Sequence, residues 1–372
     1  MISQSFLIKP ASGYCNMKCE YCFYADVTDI REIKNRGMMT GETLEVIVRK
    51  IMQEVSKFCI LGFQGGEPTL AGLDFFRLLI DLEKKYNTKN IQIQHTLQTN
   101  GQLINDEWAA FFHEHQFLIG LSIDGGKEVH DSLRKDASQK GTHYQCLSAT
   151  HLFQKHKVEF NILSVITKQL AEKPKEYWRF CKKEKFDFLQ FIPCLDGLEQ
   201  IRGSAIYSLD ARTYGTFLCE IFDLWYNDYT TGKYISIRNF DNYIRILLGE
   251  PPENCAMAGE CRAYPLIEAD GSVYPCDFYA IDKYCLGNIK ESTFTSMLNG
   301  EKADKFMRPS RRHSPECEKC MYLPLCRGGC RRDREVSGIH KLQLNYYCES
   351  YKQFFQHAFA RMNQIAQFLK NR

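Results

Sequence analysis

Cys15, Cys19 and Cys22 stand in the spacing C-x-x-x-C-x-x-C, inside the stretch CNMKCEYC. Thiolates that close together can be wrapped by one loop around a single [4Fe–4S] cube, and three ligands leave one iron open to a small molecule. A structural zinc loop uses the same residue type, but no histidine follows at the spacing of a fourth zinc ligand. Gly65-Gly66-Glu67-Pro68 adds two glycines, which let a backbone approach a ligand closely, and a carboxylate, which accepts from an ammonium group. Ser122 and Asp124 stand in a third short motif, SIDGG.

The C-terminal third carries a second set. Cys317, Cys320, Cys326 and Cys330 follow one another closely, with Cys348 beyond them and Cys255, Cys261 and Cys276 upstream. Eight thiols suit two fully ligated clusters, two zinc sites satisfy the same count, and spacing alone does not divide the eight into sets. A cluster with every position closed has electron transfer as its natural role. Arg327, Arg331, Arg332 and Arg334 interleave with these ligands; a thiolate-ligated cluster is net negative, so the arginines are expected to balance it rather than to bind nucleic acid. The remaining cysteines, Cys59, Cys146, Cys181, Cys194, Cys219 and Cys285, lie mostly in apolar or helical contexts and read as small buried hydrophobes.

Seventeen cysteines in 372 residues, with no signal-peptide pattern at the N-terminus, argue for metal ligation in a reducing compartment rather than for a disulfide framework. A net charge of +3 with short basic clusters implies no nucleic-acid or membrane-surface partner. No apolar run approaches the ~18–20 residues of a membrane span. The expectation is a soluble, cytoplasmic chain.

The elements that must hold these motifs follow from periodicity. Apolar, β-rich runs alternate with longer stretches of helical period, the mark of parallel βα units. Strands are expected at Ser5–Lys9, Phe58–Phe63, Ile91–Leu97, Phe117–Ile123, Val158–Thr167 and Phe188–Pro193. Helices are expected at Gly41–Lys57, Asp74–Tyr86, Asp106–His115, about Tyr144–Lys155, Lys173–Lys185 and Ala211–Tyr229, with Phe75, Leu78, Leu79 and Leu82 sharing the buried face of the second. YISIRNF reads as β-like, and the Pro/Gly/Glu break LLGEPPENC follows it. The fold class is α/β, a closed or partly closed barrel over residues 1–234, followed by a linker and a small cysteine-rich α+β domain over residues 235–372, the boundary falling between Thr231 and Glu253. CNMKCEYC, QGGEP, QTNG and SIDGG each follow a strand, so the four loops should meet at the carboxyl ends of the sheet, where α/β folds carry their sites.

CNMKCEYCF resembles the signature of the radical SAM superfamily, whose unique iron binds the amino and carboxylate groups of S-adenosyl-L-methionine (SAM), and Gly65, Gly66 and Glu67 resemble its GGEP loop. The resemblance implies a partial (β/α)6 barrel. It also places Gln64 near the SAM, the ring of Tyr21 or Phe23 over the cluster or adenine, Ser122 and Asp124 near the ribose, and Arg134 near the carboxylate. On the residues alone, Ser122 and Asp124 fit turn caps equally well, and Arg134 fits a surface pair with Asp131. The C-terminal cysteines resemble the SPASM extension, which implies two auxiliary [4Fe–4S] clusters, one held by Cys255, Cys261, Cys276 and Cys330, the other by Cys317, Cys320, Cys326 and Cys348.

Within that subfamily LIKPASGYCNMKCEYCFY, FQGGEPTLAGLDFF, LQTNGQLI, DGSVYPCDFY, LCRGGCRR and LNYYCESYK resemble the anaerobic sulfatase-maturating enzymes. This likeness implies three [4Fe–4S] clusters, SAM, and oxidation of a cysteine or serine of a sulfatase to Cα-formylglycine. A 5′-deoxyadenosyl radical would take a Cβ hydrogen, a base the thiol or hydroxyl proton, and an auxiliary cluster the surplus electron. Asp277, next to Cys276, matches the base; its alternative is a cap aspartate bonded to the loop. Tyr24, Gln98, Asn100, Arg238 and Asp241 fit either a peptide groove or solvated loops. The implied partners are an unfolded or nascent sulfatase polypeptide and an electron donor such as flavodoxin or ferredoxin, with the enzyme a monomer. The rival readings are a SPASM maturase building a thioether or carbon cross-link in a ribosomal peptide, and a zinc-binding interaction protein, which the GGEP and SIDGG strand ends disfavour.

Overall fold

The computed structural model describes residues 5–335 and 343–371. Among the described residues ten strands run in chain order: β1 (Ser5–Ile8), β2 (Phe58–Phe63), β3 (Gln92–Thr99), β4 (Leu118–Ser122), β5 (Phe160–Ile166), β6 (Phe188–Pro193), β7 (Ser236–Ile237), β8 (Leu266–Ile267), β9 (Ser272–Tyr274) and β10 (Gly287–Asn288). The chain forms two compact units. The first holds the described residues up to Ser122 with Arg134–Phe160 and Ala263–Phe306, and the second holds Ile123–Leu133, Asn161–Arg262 and the described residues from Met307 onward.

In the first unit β8, β1, β2, β3 and β4 lie side by side and parallel, with β9 antiparallel to β8 at that edge and β10 antiparallel to β9. The strands are buried because helices cover them, which is why Phe6, Leu7, Ile8, Leu61, Phe63, Leu97 and Ile119 can be almost uniformly apolar. Helix Gly41–Glu54 starts where the Thr40 side chain accepts from the Thr43 N–H, and it buries Leu44, Ile47, Val48 and Ile51 on one stripe. Helix Asp106–Glu114 is capped in the same way by Asn105. Helix Leu73–Tyr86 departs from the expected face: Phe76 and Ile80 are buried with Phe75, Leu79 and Leu82, while Leu78 is 38% exposed. The apolar stripe is wide enough that period alone did not choose its centre.

In the second unit β5, β6 and β7 are parallel, Ile162 opposite Leu189 and Phe188 opposite Ser236. Asp210 caps helix Ala211–Thr230, and the C-terminal helix Cys348–Lys370 packs on it, with Phe354 against Phe222 and Ser350 Oγ donating to the Ala211 carbonyl. The β-like reading of YISIRNF is corrected here. Only Ser236 and Ile237 are extended, and Arg238 opens a helix that runs to Leu247 and buries Phe240, Tyr243, Ile244 and Ile246. Its β-branched and aromatic content masked a 3–4 residue period. Strand β3 likewise runs to Thr99, so Gln98 and Thr99 belong to the strand rather than to the loop after it. Helices Phe23–Asp29 and Lys127–Leu133 were not expected; each is only seven residues long. Among the described residues no helix is long and apolar enough to cross a membrane.

Candidate active site and cluster ligands

The cysteine loop leaves β1 through a turn closed by the Tyr14 N–H on the Ala11 carbonyl, 2.8 Å, and ends where Cys22, in extended backbone, caps helix Phe23–Asp29. Met17 N–H points at Cys15 Sγ, 3.4 Å, and Asn100, at the end of β3, lies 3.9 Å from that sulfur while donating to Asn16 Oδ1, 2.7 Å. Cys15 is surface-exposed as a residue, yet its sulfur is desolvated enough that burial pushes the thiol up to about 12, with Glu67, Cys19 and Cys22 adding to the rise. The crowding of three thiols is what a cation would relieve by taking their protons' place. An opening of about 500 Å³ lined by Tyr14, Cys15, Asn16, Gly37, Met38 and Leu70 lies beside this loop.

The Gly65-Gly66-Glu67-Pro68 loop packs directly on it. Gly66 has φ +58°, and a Cβ there would stand 2.2 Å from the Tyr14 carbonyl oxygen, which also accepts from the Glu67 N–H at 2.8 Å. Gly65, at φ +87°, would place a Cβ 2.4 Å from Lys9 Cε. Both glycines are therefore required by the protein's own packing. Glu67 is buried: its Oε1 accepts from the Thr69 N–H, the Thr69 hydroxyl and the Thr99 hydroxyl at 2.7–3.1 Å, and its Oε2 from the Asn100 N–H at 2.8 Å. One acceptor direction is left, on Oε2. Burial nonetheless holds its carboxyl above the ordinary value.

Asp277 follows β9 and is brought to the end of β2. Its Oδ2 accepts from Gln64 Nε2 at 3.0 Å and faces the Tyr24 hydroxyl at 3.4 Å, while Gln64 Nε2 also lies 2.5 Å from that hydroxyl. Phe278 N–H holds Oδ1 at 3.0 Å, and Phe278 packs edge-on against Phe23. Burial pushes the Asp277 carboxyl up; hydrogen bonds from Cys276, Phe278 and Gln64 pull it part of the way back.

A charged cluster that the sequence reading passed over lies beside this carboxylate. Lys9 closes β1 and Glu268 follows β8, and Lys9 Nζ and Arg31 Nη1 both meet Glu268 Oε1, at 2.7 and 2.6 Å, with all three side chains fully buried. Lys9 Nζ stands 5.0 Å over the Tyr24 ring. Burial lowers the Lys9 ammonium below its ordinary value although Glu268 pulls it up, whereas the two cations hold the Glu268 carboxyl down at about 2 against the effect of burial. A lysine closing the apolar run SFLI was the available signal.

Of the other residues expected to touch SAM, Tyr21 and Arg134 are buried together in the first unit, Arg134 Nη1 donating to the Tyr21 hydroxyl at 2.9 Å. Arg134 is 5% exposed, so it does not stand on the surface. Ser122 ends β4 half-buried in the same unit. Asp124 belongs to the second unit, where its buried Oδ1 accepts from the Val165 N–H at 2.9 Å.

The second unit gathers its cysteines in two groups. Cys317, Cys320, Cys326 and Cys348 line one cavity with Tyr322, Tyr351 and Phe355, and burial raises the Cys326 thiol to about 12 with the other three adding to the rise. Burial also raises Cys330, with Asp333, Cys255 and Cys261 acting in the same direction. Cys276 lies in the first unit. Cys59, Cys146, Cys181, Cys194 and Cys219 are buried elsewhere, and Cys285 is half-buried. Among the described residues no three His, Cys, Asp or Glu side chains are placed to hold a single metal ion. A cubane is a larger guest that takes one thiolate per iron.

Comparison with known proteins decides the family. A model of the radical SAM superfamily matches residues 10–181, and one of the SPASM iron-sulfur cluster-binding domain matches residues 255–321. The cysteine-type anaerobic sulfatase-maturating enzyme of Clostridium novyi is 46% identical over the full length of both chains. The chain belongs to the anaerobic sulfatase-maturating enzymes. The serine-type enzyme of Bacteroides thetaiotaomicron is 32% identical over 98% of this chain and 92% of its own. A solved structure of native anSMEcpe with bound AdoMet and Cp18Cys peptide superposes with a TM-score of 0.94, at 46% identity over 98% of this chain and 99% of that one. The fold is thus a radical SAM α/β domain with a SPASM domain, and the cofactors of this family are three [4Fe–4S] clusters and SAM. The donor set fits them: four thiols, Cys317, Cys320, Cys326 and Cys348, line one cavity together, with Glu316 and Lys352 as its charged neighbours.

Proposed function

We propose that this radical SAM oxidoreductase acts by preference on the cysteine, rather than the serine, of its sulfatase substrate, with Asp277 as the base. The reaction of the family is oxidation of that residue to Cα-formylglycine. The observation that carries the reading is the Asp277 carboxylate, buried and aimed by Gln64, Tyr24 and Phe278 at the end of β2, beside the loop of Cys15, Cys19 and Cys22. The cysteine preference is supported by the higher identity to the cysteine-type relative than to the serine-type one.

Bound at the first cluster, SAM would supply the radical chemistry that opens the oxidation at the substrate's Cβ. The side chains of this protein do the rest of the positioning. Asp277 Oδ2 accepts the substrate's thiol proton, and its raised pKa suits a base working near neutral pH. Gln64 orients that carboxylate through Nε2, and the same nitrogen donates to the Tyr24 hydroxyl, which fixes the amide. Cys15, Cys19 and Cys22 hold the first cluster; Tyr21, Gln64, Gly65, Gly66, Glu67, Ser122, Asp124 and Arg134 bind SAM, the free direction of Glu67 Oε2 accepting its ammonium group. Cys255, Cys261, Cys276 and Cys330 take one auxiliary cluster, and Cys317, Cys320, Cys326 and Cys348 the other. We place the enzyme in the cytoplasm, as a monomer reduced by a flavodoxin or ferredoxin.

The test is a pair of peptides carrying C-x-P-x-R or S-x-P-x-R, incubated anaerobically with reconstituted enzyme, reductant and SAM. Trapping the aldehyde with a hydrazine should give at least about tenfold more product from cysteine, a difference of about 1.4 kcal/mol. Equal or faster oxidation of serine overturns the preference, and SAM cleavage without aldehyde from either overturns the reaction.

A further inference from the structure

Arg331, Arg332 and Arg334 follow Cys330 in one short helix, but they are not equivalent. Arg331 Nη2 pairs with Glu335 Oε1 at 2.7 Å, and Arg332 Nη2 donates to the Asp196 carbonyl at 2.5 Å. Arg334 is only 2% exposed and makes no ion pair among the described residues. Its Nη1 donates to the Arg312 carbonyl at 3.1 Å, and its Nη2 to the carbonyls of Gly259 and Ser310 at 3.1 and 2.9 Å, while its Nε has no partner at all. A buried guanidinium with no counter-ion is costly, by several kcal/mol in real proteins, so the fold must place an anion near it.

The position of the guanidinium says which anion. Gly259 precedes Cys261 by two residues, and the Ser310 hydroxyl accepts from the Cys261 N–H at 2.7 Å, so two of the three carbonyls that Arg334 holds belong to the support of that cysteine. On its other side, Arg334 Nη1 stands 3.7 Å from where a Cβ on Gly328 would be, and Gly328 lines the cavity of Cys317, Cys320, Cys326 and Cys348. Burial pulls the Arg334 guanidinium down, while Cys261, Cys330 and Cys317, with Asp333, lie near enough to pull it back up. The three thiols come from both groups.

We infer that Arg334 is a positioning residue shared by the two auxiliary clusters, the one buried cation that serves both as counter-ion and raises the reduction potential of each. This rests on the assignment of the eight cysteines to two clusters. A reduced cluster carries one more negative charge than an oxidised one, so a fixed cation stabilises the reduced form. A shared cation also couples the pair, because an electron on either cluster uses the same positive charge.

Redox titration of reconstituted holoenzyme followed by electron paramagnetic resonance tests this. The first cluster is recognised by the change SAM makes to its signal, and it serves as the internal control. Arg334→Met should shift both auxiliary couples at least tenfold towards the oxidised form, 59 mV for a one-electron couple, with the first cluster unmoved. Arg334→Lys, which keeps the charge and loses the fork, should leave all three near wild type. Unchanged auxiliary potentials in a fully loaded Arg334→Met protein overturn the inference, and a shift confined to one cluster overturns the sharing. If Arg334→Met fails to hold iron, retention of iron by Arg334→Lys supports the charge role, and loss from both shows that the hydrogen-bonded fork alone matters and overturns it. Wild-type protein that holds zinc in place of iron counts against the cluster assignment itself, not against Arg334.

Discussion

Glu268→Gln should destabilise the first unit by about 3 kcal/mol at neutral pH. Glu268 is the one anion between two fully buried cations, 2.7 Å from Lys9 and 2.6 Å from Arg31. Holding its carboxyl at about 2 rather than at the ordinary 4.5 corresponds to about 3 kcal/mol of preference for the ionised form in the folded protein. Removing one partner of a buried pair costs about 3–5 kcal/mol, and the lower end applies here because burial already depresses the Lys9 ammonium, which can shed its proton when its carboxylate is gone. With an unfolding entropy of about 2.1 cal/mol/K per residue, 3 kcal/mol lowers the midpoint of a 372-residue chain by about 4 °C. Thermal unfolding of reconstituted wild type and variant under nitrogen reads this directly. The sign with pH follows from the depressed carboxyl: its contribution is complete above 4.5 and is lost as pH falls towards 2. The gap between the two proteins should therefore hold from pH 8 to pH 5 and narrow on further acidification. A gap below about 1 kcal/mol at pH 7, or one that widens in acid, refutes the argument.

Asp277→Asn should keep reductive SAM cleavage while formylglycine formation falls by about 10²–10⁴; loss of 5′-deoxyadenosine in the same proportion would remove Asp277 from the base role. Gly66→Ala must seat a Cβ 2.2 Å from the Tyr14 carbonyl at φ +58°, a cost of about 2–4 kcal/mol that the cysteine loop relieves by moving. The variant should lose first-cluster iron and the SAM-induced change in its signal, and retention of both counts against the tight docking of the two loops. Cys326→Ala should lower iron from about twelve to about eight atoms per chain with SAM cleavage retained. Full iron content in that variant contradicts the four-cysteine cavity as a cluster site.

The six long strands and the helices between them were legible because each combines a strong period with end signals such as Thr40, Asn105 and Asp210. The cysteine and glycine motifs were legible because their spacing is local. What could not be read is the return of residues 263–306 to the first unit. Strands β8, β9 and β10 have two, three and two residues, too few to carry a period, and only pairing makes them strands, β8 on β1, β9 on β8 and β10 on β9. The meeting of Asp277 with Gln64 and Tyr24 depends on that return, across more than 200 residues of sequence. The role of Gly65 was partly hidden for the same kind of reason: freedom of approach to a ligand was visible in the motif, the passage of the Lys9 stem beneath it was not.

Charge links these observations. Lys9 and Arg31 share a single carboxylate, so the buried triad of the first unit carries one surplus positive charge where Asp277 acts on Lys9. That surplus favours an ionised Asp277, while burial favours a neutral one, and burial wins. A base is most useful in that balance: a carboxyl held too low accepts no proton, and one held too high is already protonated at working pH. Replacing Lys9 by a neutral residue of similar length removes that charge while the hydrogen bonds from Cys276, Phe278 and Gln64 remain, so the Asp277 carboxyl rises further. The fall in formylglycine formation on the acid side of the pH profile should then begin at higher pH in Lys9→Met than in wild type, with SAM cleavage following the wild-type profile. A limb that stays in place in a stable Lys9→Met protein would mean that Lys9 supports only the packing beneath Gly65.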